Sequence, residues 1–259
     1  MNIVGIIPAR MASTRFPGKS MAEIHGLPMV GHIYLRSKMS KLLNQVYLAT
    51  PDKEIFDYIK SIKGKPVMTK TTHRSAPDRT AEAVEKIERE TGQKIDIVLM
   101  IQGDEPMIRP EMLDATVKPL LEDKSLQICN LGTPIVTDKE HQDPNIVKVV
   151  VDKNDCALYF SREPIPSFKK ITPEEEEKVS IFKQTGIISF KRDFLIEFNQ
   201  MPPTPLELIE SVDMLRLLEN GLKVKMAFAE CSLYSVDTPQ DLEFVKQKMA
   251  NEELMKTYL

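Results

Sequence analysis

The chain has 259 residues, 42% of them apolar and 28% charged, with a net charge of -3 at neutral pH. This size carries one α/β domain with room for a smaller lobe, and the charge balance lacks the domain-wide basic excess of a nucleic-acid binder. Cys129, Cys156 and Cys231 are odd in number and far apart, without CxxC spacing, which excludes a disulfide framework or zinc site and predicts buried thiols in a reducing cytoplasm. No apolar run approaches a bilayer span and the first residues lack a leader pattern, so the expectation is a cytoplasmic protein without membrane insertion.

Residues 3–7 are apolar and β-branched, the mark of a buried strand, and Pro8 ends them. Arg10, Ser13, Arg15 and Lys19 follow within a loop that Pro17-Gly18 bends back on itself, so cations and backbone N–H groups can converge on one polyanion. A triphosphate is the natural guest; a solvated basic turn is the plainer alternative. A short strand and turn at 23–28 lead into a helix opened by Pro28, with Met29, Ile33 and Leu35 or Met39 inward.

A strand at 46–50, a helix from Pro51-Asp52 and a strand at 67–68 repeat the strand, helix, strand pattern of a parallel sheet. The helix from 78 to about 90 is expected to be capped by Asp78, with Arg79 in its first turn, where a cation is out of place unless it reaches an anion. The strongest strand, 95–101, ends at Gln102-Gly-Asp-Glu-Pro106, a polar cluster at the end of a central strand where α/β sheets collect ligands. Asp104 there offers hard oxygens suited to Mg²⁺, or it caps the next helix.

A helix near 111–121 returns to a strand at 127–136, after which two strand-like runs at 147–151 and 156–160 flank an Asp152-Lys-Asn-Asp155 hairpin turn. The acidic run at 172–177 reads as solvated. A further strand follows at 185–190, and then a helix with Leu208, Val212, Leu215 and Leu218 inward that Gly221 closes. A strand at 223–229 and a last helix capped by Asp237 or Thr238 complete the chain.

Five stretches carry a resemblance: Ile7-Pro-Ala-Arg-Met-Ala-Ser-Thr-Arg-Phe-Pro-Gly-Lys19, Ile101-Gln-Gly-Asp-Glu-Pro106, Asp143-Pro-Asn-Ile-Val-Lys-Val-Val-Val151, Ala157-Leu-Tyr-Phe-Ser-Arg-Glu-Pro-Ile-Pro166 and Ser235-Val-Asp-Thr-Pro-Gln-Asp-Leu242. In this order and spacing the chain resembles the CMP-Kdo synthetases, the 3-deoxy-manno-octulosonate cytidylyltransferases of lipopolysaccharide synthesis. The resemblance implies a Rossmann-like nucleotidyltransferase over residues 1–259, with a mostly parallel central sheet and a smaller mixed α/β lobe at about 140–195 used for homodimerisation. It also implies that CTP and a 2-keto sugar acid react on Mg²⁺, with pyrophosphate leaving.

By the same resemblance, Ala9, Arg10, Ser13, Lys19, Arg79 and Gln102 bind nucleotide, and Lys19, Asp104 and Asp237 are catalytic, the two aspartates holding Mg²⁺. Arg15, Gln102, Arg162, Gln184, Glu207 and Glu210 are expected to contact the sugar acid.

Some positions depart from the family pattern. Ser75-Ala-Pro-Asp-Arg79 stands where Ser-Gly-Thr-Asp/Glu-Arg is usual, Gln184-Thr-Gly-Ile-Ile-Ser-Phe-Lys191 where His-x-Gly-Ile-Tyr-Gly-Tyr-Arg is typical, and Leu208 where a histidine is common. The rebuilt segment suggests a modified acid such as 8-amino-Kdo, with Glu210 meeting its ammonium. A different acidic sugar, a non-sugar acceptor and a catalytically idle nucleotide-binding protein are the alternatives.

Overall fold

The computed structural model describes residues 1–73, 75–170, 172, 180–230 and 233–259; Cys231 and the run at 173–177 lie outside them. The strands are β1 (Ile3–Pro8), β2 (Glu23–Ile24), β3 (Leu27–Pro28), β4 (Gln45–Thr50), β5 (Pro66–Met68), β6 (Ile97–Ile101), β7 (Ile128–Pro134), β8 (Lys148–Val151), β9 (Ala157–Ser161), β10 (Phe182–Lys191) and β11 (Lys225–Phe228). The helices among the described residues are α1 (Met29–Ser37), α2 (Lys53–Ser61), α3 (Ala76–Thr91), α4 (Pro110–Glu122), α5 (Asp138–Gln142), α6 (Arg192–Gln200), α7 (Pro205–Glu210), α8 (Leu215–Glu219) and α9 (Pro239–Met249).

β1 and β6 are apolar at nearly every position because they are covered on both faces. Ile3 and Ile7 of β1 join Ile97, Leu99 and Ile101 of β6 in the core under α1, α2, α4 and α9. Val4 and Ile6 join Val98 and Met100 in the opposite core, under α3, α6 and α8. The main sheet runs β11-β7-β10-β6-β1-β4-β5, with β8 and β9 branching from β10. β10 is antiparallel to β6 and β7, while the β1–β4, β1–β6, β4–β5 and β7–β11 pairs are parallel. The expected lobe at 140–195 is thus divided: β8 and β9 form an antiparallel branch, and β10 crosses the main sheet.

Three sequence expectations change in local detail. Ser75, not Asp78, is the N-cap of α3; Asp78 sits at the third helical position and completes a reciprocal capping box with both bonds at 3.3 Å. In α1 the places given to Leu35 and Met39 are taken by Val30 and Tyr34, which are buried, whereas Met39 is exposed. The single helix expected across Leu208 to Leu218 is two, α7 and α8, broken at Ser211 with a left-handed φ of 52°. Leu208 consequently faces solvent, while Gly221 ends α8 as expected, at φ 71°.

The C-terminal residues are tied to α1 by a buried polar chain. Arg36, fully buried, donates Nε to the Tyr258 hydroxyl at 2.7 Å and Nη1 to the Ile108 carbonyl at 3.2 Å, and its Nη2 pairs with Glu252. His32 lies between the Tyr258 hydroxyl at 2.8 Å (Nδ1) and the Ile24 carbonyl at 2.7 Å (Nε2). The neutral Nε2–H tautomer satisfies both contacts, since the carbonyl can only accept. Burial, then the nearby Arg36 charge, holds the His32 pKa below its ordinary 6.5.

Glu252→Ala strands a buried guanidinium, so it is expected to lower the unfolding free energy by about 3 kcal/mol in urea titrations; a loss near zero contradicts the clamp. Because His32 binds its proton less readily when folded, the unfolded chain takes up more protons below 6.5 and stability falls as pH drops through that range. His32→Gln should flatten this loss when urea midpoints are compared between about pH 7.5 and about pH 5.5; an unchanged slope contradicts it.

Candidate active site

The sheet order reverses between β1 and β6: the chain goes from β1 outward to β4 and β5, then returns to place β6 on β1's other side. Loops leaving the carboxyl ends of two such strands diverge and leave a crevice. A cavity of about 640 Å³ lies there, walled by residues 8–20 after β1, by His73, Ser75, Ala76 and Arg79 at the start of α3, by Gln102, Gly103 and Asp104 after β6, and by Asp237 before α9. The 8–20 loop is closed on itself by the Gly18 N–H donating to the Met11 carbonyl at 2.9 Å, with Gly18 at φ 75°. Asp52 fastens its start, accepting the Met11 N–H at 2.8 Å.

Lys19 Nζ is the hub. It donates to Asp104 Oδ2 at 2.8 Å, to Asp237 Oδ1 at 3.0 Å and to the Val236 carbonyl at 3.1 Å. Arg15 reaches Asp237 Oδ2 at 3.0 Å from a side chain 55% exposed, so that pair is the more solvent-screened of the contacts. Desolvation pulls the Lys19 pKa down, but the two hydrogen-bonded carboxylates outweigh it and the net shift is upward, so the ammonium is firmly charged. Asp237 is presented just before the Thr238 N-cap of α9, whose capping box with Asp241 fixes the turn.

The donor set fits a hard divalent cation. Asp104 Oδ1 is buried and has no hydrogen-bond partner, while Asp237 supplies a second carboxylate beside the same ammonium. Among the described residues no group of three or more His, Cys, Asp or Glu side chains could hold a metal. Mg²⁺ commonly takes one or two carboxylates and completes its shell with phosphate oxygens and water, which is what this pair allows.

Next to Asp104, Glu105 is fully buried; burial first, then the Asp104 charge, pushes its pKa up to about 8, so it is a neutral acid at pH 7. Also in the cavity wall, Arg79 is buried and donates Nη1 to Thr69 Oγ1 at 2.6 Å and to the Lys70 carbonyl at 3.1 Å. Its pKa is lowered by burial and then by Arg10.

Ala9, Arg10, Ser13, Arg15, Lys19, Arg79, Gln102, Asp104 and Asp237 therefore share one cavity. Arg162, Gln184, Glu207 and Glu210 are not among its walls. Glu207 pairs with Arg216 and accepts the Thr204 N–H at 3.2 Å, the helix-start contact that Thr204-Pro-Leu-Glu207 spells out in sequence. Glu210 accepts from Ser161 Oγ at 2.7 Å and the Arg162 N–H at 2.8 Å, so each of its oxygens is engaged by the chain itself. The Arg162 guanidinium holds the carbonyls of Glu210 at 2.6 Å and Ser211 at 3.3 Å, satisfying the end of α7. Gln184 Nε2 donates to Asn130 Oδ1 at 2.8 Å.

The sequence reading missed His73, whose ring lines the cavity and whose Nε2 is held by Glu82. The polar run before α3 was its only signal.

Among the described residues no helix is long and apolar enough to cross a membrane. The family model described as "Cytidylyltransferase" matches residues 4–226. A 3-deoxy-manno-octulosonate cytidylyltransferase of Geobacter metallireducens is 39% identical over 98% of this chain and 100% of its own length. The protein of the same name from Geobacter sulfurreducens is 42% identical over 96% and 100%. A solved CMP:2-keto-3-deoxy-manno-octonic acid synthetase complexed with CTP superposes with a TM-score of 0.87 at 35% identity, covering 96% of this chain and 99% of that one. The chain belongs to the cytidylyltransferase family, among the 3-deoxy-manno-octulosonate cytidylyltransferases that its five motifs resemble.

Proposed function

We propose that the protein transfers CMP from CTP to the anomeric hydroxyl of 3-deoxy-manno-octulosonate (Kdo) on Mg²⁺, releasing pyrophosphate, as a cytoplasmic homodimer. The observation that carries this reading is the convergence of Lys19, Asp104 and Asp237, drawn from three distant parts of the chain, in the wall of a cavity of about 640 Å³. Arg10, Arg15 and Lys19 neutralise the triphosphate and hold it in line for attack, which is most of what phosphoryl transfer asks of a protein. Asp104 and Asp237 hold the metal, which when bound withdraws charge from the phosphate oxygens. His73, Ser75 and Arg79, at the start of α3, wall the part of the cavity where the nucleoside lies. Gln102, at the start of the loop after β6, meets the acceptor acid.

Relatives named for plain Kdo support that acid as the substrate. Glu210, argued from sequence to meet an 8-amino group, accepts from Ser161 and the Arg162 N–H in the chain itself, which favours plain Kdo as the first acid to assay. For the homodimer, support comes from Leu158 on the outer strand β9 and from Leu206, Leu208 and Ile209 on α7, large apolar side chains that stand exposed.

Pyrophosphate release with CTP, Mg²⁺ and Kdo tests the assignment, with 8-amino-Kdo, a nine-carbon sialic-type acid and no acceptor as comparisons. Asp104→Asn should lower kcat roughly a hundredfold with little change in melting temperature. Release by the parent only with another acid, or from none, rejects the Kdo reading.

Lys19 lies between the two carboxylates that a cation needs, so the nucleotide-free protein should bind free metal poorly. Lys19→Met is expected to tighten Mn²⁺ binding by roughly tenfold in calorimetry without nucleotide, while weakening CTP binding. Weaker Mn²⁺ binding in that variant would show that Lys19 does not compete for the carboxylates.

A further inference from the structure

The strand beside β6 departs from a regular ladder next to the cavity. Between Gln184, opposite Gly132, and Ile188, opposite Asn130, β10 uses four residues where β7 uses two. The extra length forms a bulge centred on Gly186, and a bulge re-aims what packs against it.

This bulge is held from behind. Asn130, fully buried on β7, donates Nδ2 to the Thr185 and Ile187 carbonyls, both at 3.0 Å, and so grips the chain on either side of Gly186. Its Oδ1 accepts from Gln184 at 2.8 Å, and Thr185 Oγ1 donates to the Leu131 carbonyl at 3.0 Å. On the cavity side, the Gly186 carbonyl accepts the Gln102 N–H at 3.1 Å, and the Gly186 N–H donates to Glu105 Oε1 at 3.3 Å. Gln102, two residues before Asp104, and Glu105, just after it, are therefore both docked on the one glycine.

The contact at Gly186 is close. A Cβ there would lie 2.3 Å from Gln102 Cδ, 2.4 Å from its Cγ and 2.5 Å from its Oε1. Real Cβ atoms do not approach other heavy atoms so closely, so any side chain at 186 must move the Gln102 amide. Gly186 is not at a left-handed φ, so the backbone does not carry the strain that reserves such positions for glycine, and the three nearest atoms that a side chain would meet all belong to the flexible Gln102 side chain.

We propose that Gly186, gripped by Asn130, is a specificity-determining positioning residue: the bulge is the seat on which the Gln102 side chain rests, and it sets where that amide meets the acceptor acid. This rests on the reading of Gln102 as a contact of the acceptor. It also says how the rebuilt 184–191 segment bears on the cavity although Gln184 is not one of its walls: it acts through the bulge.

The test is a cycle of Gly186→Ala, Gln102→Ala and the double variant, in the full-length protein. Steady-state kinetics would use CTP and Kdo, and the Gln102 side-chain amide would be followed by NMR in ¹⁵N-glutamine-labelled protein without ligands. Gly186→Ala should shift that amide resonance and raise KM for the acceptor roughly tenfold, the size of one ordinary hydrogen bond, with KM for CTP unchanged. In the Gln102→Ala background it should add nothing, because the group it displaces is gone.

The proposal is overturned if the Gln102 resonance stays in place, or if the resonance moves and the acceptor KM of an active enzyme does not. A Gly186→Ala effect that persists in full without the Gln102 amide also overturns it. If the parent turns over no sugar acid at all, the functional reading fails on its own, and the amide resonance still decides whether Gly186 seats Gln102.

Discussion

One ammonium holds the site together. Asp104 and Asp237 come from loops 133 residues apart in the chain, and two partly buried carboxylates facing each other repel strongly in a medium less polar than water. Lys19 Nζ, at 2.8 and 3.0 Å from them, turns that repulsion into attraction, and the Val236 N–H donating to the Asp104 carbonyl at 2.8 Å fixes the distance between the two loops. For the three groups to meet, β1 and β6 must be neighbours with their carboxyl ends level, and the C-terminal segment must return across the sheet to that edge. The return is secured by α9 in the core and, beyond it, by Glu252 and Tyr258 on the buried Arg36. The charge triangle and the tail clamp are thus two ends of one constraint.

Behind Asp104 the protein places a second, fully buried acid. An ionised Glu105 would stand beside the aspartate out of water, and burial with that neighbour pushes its pKa up to about 8. It accepts from Gly186 on β10, so the loop after β6 is braced against the adjacent strand while Asp104 keeps the carboxylate charge.

The parts of this arrangement written in contiguous residues were legible. β1 and β6 showed themselves as apolar runs because both their faces are buried, and the loop after β1 as cations around Pro17-Gly18. Asp104 and Asp237 could be paired only through a resemblance, since nothing local says that two loops so far apart meet. The misreadings have local physical causes. Asp78 looked like a cap because it precedes the helical periodicity, yet Ser75 begins the helix and Pro77 is inside it. Leu208 fitted a helical stripe running to Leu218, but Ser211 takes a left-handed conformation whose carbonyl, with that of Glu210, is held by Arg162 some fifty positions earlier. A non-glycine residue at positive φ leaves no trace in periodicity. At Glu207 the local pattern Thr204-Pro-Leu-Glu207 also spells a helix start, and that contact is the one the fold displays.

The proposed phosphate contacts and the proposed acceptor contact therefore differ in how they are encoded. Arg10, Arg15 and Lys19 line the cavity from one short motif, so a substitution there acts where it occurs. Gln102, the proposed acceptor contact, has its backbone N–H and side chain both against Gly186, which Asn130 on β7 grips on either side. On the proposal that Gly186 seats Gln102, a change at Gln184, Asn130 or Thr185 would reach the cavity through that bulge, and would alter the direction of an existing amide without replacing a cavity-lining group. Acceptor preference can then drift in a chain whose cavity-lining residues stay the same, and a comparison confined to those residues would miss the change. Comparisons of acceptor choice among such proteins belong at the strand behind the site as much as at the loops in front of it.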